Sequence, residues 1–258
     1  MKNRIWRAIA AVTLATVLFP SFSSAQDEPV QQRDWLENYY VEPDPEGFVR
    51  QMKEWAAEGV LDSELIKPTL IAFISQIIRQ NRDKLDGWYK DLAGLTPAQM
   101  QVMRTAMLFS RTKEADQIMS GLFGNKYIEQ KRETEKILEM PLDKKATPDM
   151  LWGFYFATGS EEAIRRIVLC FRFLNADEKP EGVDVPDGYV PHFKQLPAFA
   201  FQSLVGNAER HPRILEILET LYKNDPGLVP SEKQGVYDIL SEFDQENYPP
   251  IDRSGKSA

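Results

Sequence analysis

Met100, Met103 and Met107 fall three and four residues apart, a spacing that lines three thioethers along one side of a helix. Soft sulfur ligands of that kind select Cu(I). Val102, Ala106 and Phe109 continue the same apolar surface, however, and methionine fills irregular cores well. We therefore read packing, not copper. His192 and His211 lie in no zinc-type spacing such as H-E-x-x-H. His211, directly before Pro212, reads as a helix start, and His192 as an exposed connector residue. Asp177, Glu178, Glu181, Asp184 and Asp187 gather the hard oxygens that calcium needs. Their spacing is not that of the helix-loop-helix calcium motif, and Pro180 and Pro186 interrupt it, which leaves a solvated loop. Gly255-Lys256-Ser257 has the form of the end of a phosphate-binding loop, but Pro250 stands where its first glycine belongs. No G-x-S-x-G elbow is present. The sequence nominates no catalytic residue, metal or cofactor, so a non-enzyme is the expectation. Spacing does not show which acids meet in space, and carboxylate-pair hydrolysis stays open on that ground.

A second kind of chemistry is recognition by aromatic surface. The stretch Leu151 to Ala163, LWGFYFATGSEEA, places Trp152, Phe154, Tyr155 and Phe156 within five residues. In a helix begun at Pro148, Leu151, Phe154, Tyr155 and Thr158 share one side, and Trp152, Phe156 and Gly159 the other. A helix apolar nearly all round is normally sandwiched between neighbours. Core packing is thus the expected role. Gly153 then admits a close neighbour, Gly159 stops the helix, Ser160 caps the next one, and Glu161 and Glu162 meet the positive end of its dipole. The functional alternative is a groove for an apolar ligand or a peptide, lined by Trp152, Tyr155 and Phe156, with Met103 nearby.

The elements that must position these residues are helices. Asp44-Pro45 opens a first one, with Phe48, Met52, Trp55 and Ala56 inward and Gly59 as its stop. After Pro68, Leu70, Ile71, Phe73, Ile74, Ile77 and Ile78 suit a buried helix, although their β-branched content leaves a strand open. Leu85, Trp88, Tyr89 and Leu92 form another, ending at Gly94. Thr96-Pro97-Ala98-Gln99 is a capping box with proline at the first helical position. Thr112, Thr147-Pro148, Ser160, His211-Pro212 and Ser231 with Gln234 mark further starts. The pattern predicts an all-α fold of about ten antiparallel helices stacked as helix-pair, solenoid-like repeats. Trp88 and Trp152 open two similar segments 64 residues apart, about two helix pairs. Cys170 sits in the apolar run IVLCFRFL and reads as a buried hydrophobe; with no second cysteine, no intramolecular disulfide forms.

Trp152-Gly153, Gly159 and Glu161-Glu162-Ala163-Ile164 resemble a tetratricopeptide repeat, which implies helix pairs. Ala163 lies four residues after the turn glycine where that family has five. The segments PDPEGFV (43–49), NRDKLDGW (81–88) and DMLWGFYFATG (149–159) resemble a group of uncharacterised exported bacterial all-helical proteins, and this resemblance implies no activity.

Lys2, Arg4 and Arg7 precede an apolar run from Ala8 to Phe19 and the small residues Ser23-Ser24-Ala25, the three-part form of a secretory signal peptide. The run is shorter than the roughly twenty residues a bilayer span takes. Cleavage after Ala25 takes the net charge from −8 to −11, because residues 1–25 hold three bases and no acid. That balance argues against nucleic acid or anionic lipid as a partner. The expected organisation is a signal peptide at 1–25, an extended arm at 26–44, a helical domain at 45–244 with a loop at 175–197, and a flexible tail at 245–258. A periplasmic or secreted protein that binds another protein or a peptide, with no membrane anchor after cleavage, is the leading expectation. A carrier of a small apolar ligand between helices near Trp152 and Met103 is the alternative, and the two differ in whether a cavity exists there.

Overall fold

The structure, a computed structural model, describes residues 35–142, 146–175 and 192–251. The expected signal peptide, the acids at 177–187 and Gly255-Lys256-Ser257 lie outside them. The described residues are helical throughout, with no strand among them.

Asp44 Oδ1 accepts from the Gly47 N–H at 2.9 Å and turns the chain into α1 (Phe48–Ala57), three residues later than the Asp44-Pro45 signal. Gly59, at φ 77°, ends that passage in the left-handed region, where glycine carries no steric penalty. α2 (Lys67–Gln80) settles the helix-or-strand ambiguity. Its proline lies in the first turn, where a missing N–H costs nothing. Leu70, Phe73, Ile74, Ile77 and Ile78 are wholly buried. With Ser75 and Gln76 also enclosed, α2 is covered on every side, so burial outweighs the β-branched propensity.

α3 (Leu85–Asp91) leads to α4 (Pro97–Ser110), whose capping box forms as read. Thr96 Oγ1 accepts from the Gln99 N–H at 3.3 Å, and Gln99 Oε1 from the Thr96 N–H at 3.1 Å. The same Gln99 amide donates to the Ala56 carbonyl at 3.2 Å and to Asp62 at 2.9 Å, tying α4 to the end of α1. α5 (Lys113–Phe123), capped by Thr112, and α6 (Asn125–Glu133) follow.

α7 (Ala146–Thr158) is the aromatic helix, and it packs most extensively on α2. Gly153 makes this possible. A Cβ there would lie 2.0 Å from the Thr69 carbonyl oxygen, so backbone meets backbone. Gly159, at φ 65°, ends the helix, and α8 (Glu161–Val168) begins after Ser160. Ser160 holds the capping position without its side chain bonding, whereas Thr158 Oγ1 accepts from the Ser160 N–H at 3.2 Å.

A 3₁₀ segment (Leu169–Asn175) follows α8, and another (His192–Gln195) precedes α9 (Leu196–Ala208), so the far end of the expected 175–197 loop is helical. α10 (Pro212–Asn224) starts at His211 as read. α11 (Pro230–Phe243) is capped at Val229, two residues before the Ser231 signal: Pro230 sets the first helical φ, and buried Glu232 accepts from the Val229 N–H at 2.9 Å. Glu232 is itself paired with Arg172 at 2.9 Å. Beyond α11, Tyr248 is buried against Tyr222 and Tyr237. Cys170 is wholly buried, and that burial pushes its thiol up to about 12, which removes it from thiolate chemistry. Among the described residues no helix is long and apolar enough to cross a membrane.

Candidate functional site

The aromatic residues of α7 meet a strap formed by residues 35–42. Trp35 sets its ring edge-on to Trp55 at 5.6 Å and to Phe73 at 5.7 Å, and Tyr39 is buried against Phe73 at 5.5 Å. Such edge-to-face pairs suit the ring quadrupole. The Tyr40 N–H donates to the Phe156 carbonyl at 3.0 Å, taking up one of the acceptors that a helix end leaves open. A Cβ at Gly159 would lie 2.9 Å from the Tyr40 ring, so the strap crosses the end of α7 in contact with bare backbone.

The strap also brings a charge to the site. Glu37 receives Arg210 Nε at 2.9 Å on one oxygen and Arg210 Nη2 at 3.2 Å on the other, a two-point clamp. His211 Nε2 lies 3.5 Å from the same carboxylate, and the Tyr40 hydroxyl 3.5 Å from His211 Nδ1. His211 is buried, with its ring 5.7 Å from that of Phe156. Burial by itself would raise the carboxyl of Glu37, but the contacts with His211 and Arg210 outweigh it and hold the group below its ordinary value. Glu37 is thus ionised at neutral pH.

Between strap and helices lies a cavity of about 210 Å³. Trp55 of α1, Leu70 of α2, and Trp152 and Phe156 of α7 supply its apolar surface. Leu36 and Glu37 of the strap, Thr69 of α2 and Asn207 of α9 add to the wall, and Val60 and Ile66 complete it. Asn207 is committed within the protein: Nδ2 donates to the Ser203 carbonyl at 2.9 Å, and Oδ1 accepts from Arg210 at 2.8 Å. Trp152 Nε1 is buried with no hydrogen-bond partner among the described residues. A second cavity of about 350 Å³, between Phe171, Phe201 and Gly235, is more open to solvent.

The residues singled out from the sequence separate into two places. Trp152, Tyr155 and Phe156 lie together, with Trp152 and Phe156 stacked at 5.6 Å, and both touch the cavity. Tyr155 turns away, wholly buried with its ring 5.1 Å from Tyr40, and burial raises its hydroxyl far above the usual phenol range. Met103 is wholly buried on α4 and forms no part of the cavity wall. Met100 and Met107 are buried beside it as packing. No group of three His, Cys, Asp or Glu side chains gathers as a metal site among the described residues.

Three participants were not legible as a group in the sequence. Glu37 lies in the polar arm, Tyr40 in its aromatic cluster, and His211 171 residues beyond Tyr40 at a helix start. The cluster Trp35, Tyr39 and Tyr40 was the available signal, since three rings in a polar arm call for a surface to bury them. No protein-family model, no curated protein and no solved structure matches this chain.

Proposed function

We propose that this is a non-enzymatic binding protein that holds a small, largely apolar molecule in the cavity beside Trp152 and Phe156. The cavity itself is the observation that supports this. A small molecule seated between the strap and α7 would shed much of its apolar surface from water against Trp55, Leu70, Trp152 and Phe156. About 150 Å³ of apolar space is enough for benzene, and about 210 Å³ accommodates a ring with a short substituent. Tyr40, His211 and Glu37 do converge, but their spacings of 3.5 Å are long for proton transfer, and Glu37 is held by Arg210. His211 does not line the cavity. We read the trio as the fastening of the strap.

Consecutive helices pack in pairs, α4 on α5, α7 on α8 and α10 on α11, in keeping with a helix-pair array, while α2 against α7 bridges across it. A second reading, a peptide or protein partner that seats one side chain in the same cavity, draws on Leu65. That residue is 85% exposed and directly precedes Ile66 of the wall. We further propose export, with cleavage after Ala25.

Native mass spectrometry of the chain purified gently from its producing cells separates these readings. A mass beginning at Gln26 plus that of a small molecule, lost in Ile66→Trp, is expected. A bare mass, together with a photocrosslinker at position 65 that captures a defined partner, would move the assignment to peptide recognition.

A further inference from the structure

The cavity wall is not uniformly greasy. Its apolar part comes from Trp55, Leu70, Trp152 and Phe156, and on the strap side Glu37 belongs to the wall. A carboxylate offers about four lone-pair positions and donates nothing when ionised. Arg210 takes one on each oxygen, and His211 lies near a further one on Oε2. Oε1 therefore keeps acceptor capacity. A guest that fills the apolar end and reaches Glu37 must bring a hydrogen-bond donor there.

The charge of that donor follows from Arg210. The guanidinium already neutralises Glu37 through two contacts of 2.9 and 3.2 Å, and its side chain is half exposed. An ammonium placed against the same carboxylate would lie within a few ångströms of that guanidinium and be repelled by it. A neutral hydroxyl meets the free lone pair without this opposition. Asn207, the neighbouring polar residue of the wall, holds one protein partner at each end of its amide and keeps one N–H and one lone pair beyond them.

Building on the reading of the cavity as a ligand site, we infer that its ligand is a small neutral alcohol, an apolar ring or short chain carrying one hydroxyl that donates to Glu37. The hydroxyl selects and the apolar body supplies affinity, the usual division of labour in a mostly apolar pocket with a few placed polar groups.

The test uses three probes of one shape: 2-phenylethanol, ethylbenzene and 2-phenylethylammonium, titrated calorimetrically into the full folded chain at pH 7. The alcohol is expected to bind at least tenfold more tightly than the hydrocarbon, and the ammonium no more tightly than the alcohol. In Glu37→Met the alcohol and ethylbenzene, both titrated into that variant, are expected to bind equally. The series on the unmodified protein decides the matter even where that variant does not fold. Equal binding of alcohol and hydrocarbon overturns the alcohol assignment while leaving a ligand site in place. Preference for the ammonium overturns it in favour of a cationic ligand. Failure of all three to bind removes the ligand site and the assignment together.

Discussion

Two apolar helices, α4 with Met100, Met103 and Met107 and α7 with Trp152 and Phe156, differ in how completely their neighbours close around them. All three methionines are buried and none borders the cavity. Both rings are buried too, yet they border a cavity of about 210 Å³. The difference lies in the side chains. A thioether with three rotatable bonds bends into whatever gap its neighbours leave. An indole is flat and stiff, and a helix carrying several such rings leaves a space where their outlines do not match. Flexible side chains close a core, whereas rigid ones can frame a site.

Substitutions can sharpen or break that contrast. The largest expected effect is Trp152→Ala, which joins new space to the existing cavity and should cost about 3–5 kcal/mol in denaturant unfolding. Trp152→Phe should cost clearly less, because it also removes an N–H that is buried without a partner. A loss under about 1 kcal/mol for the alanine variant would place the ring outside the load of the core. Next is Gly153→Ala. Its Cβ would collide with the Thr69 carbonyl oxygen at 2.0 Å and push α7 from α2, at about 1–3 kcal/mol by the same assay. Met103→Leu should cost less than about 1.5 kcal/mol, as a volume-conserving exchange. Thermal stabilisation by Cu(I) that disappears in this variant would turn the methionine row from packing into a metal site.

The smallest expected effect is Glu37→Gln, about 0.5–1 kcal/mol for a partly exposed ion pair. Here pH gives the sign. Because the folded carboxyl titrates below its ordinary value of 4.5, its contribution is complete above that value and is lost as pH falls through the lowered one. The gap in Tm between the parent and Glu37→Gln should be widest near neutrality and close in acid. A gap that widens in acid would mean that Glu37 is not held ionised by Arg210.

How far these features could be read in advance depends on their range along the chain. Thr96 and Gln99 are three residues apart, and their capping box forms as expected because everything it needs is local. The aromatic row of α7 announced its burial on both sides for a similar reason. At α11 the local signal was outbid: Ser231 and Gln234 have the right types, but Pro230 and Glu232 start the helix earlier. The cavity lay beyond reach altogether. It is bounded by residues from Leu36 to Asn207, and a void has no residue type of its own. Likewise, the proximity of Glu37 and His211 is set by how α9 and α10 return to the strap, which no spacing within either segment encodes.

The fastening between Tyr40 and His211 spans 171 residues and also dictates an order of events. The strap is among the first parts of the described chain to be synthesised, yet Phe156, Arg210 and His211, which receive it, come much later. Trp35 and Tyr39 find Trp55 and Phe73 early, whereas Tyr40 must wait for α7 and His211. Closing so long a loop is slow, so the fastening of Tyr40 and Glu37 lags behind the local packing of Trp35 and Tyr39. Until then the strap is packed at one end and unfastened at the other.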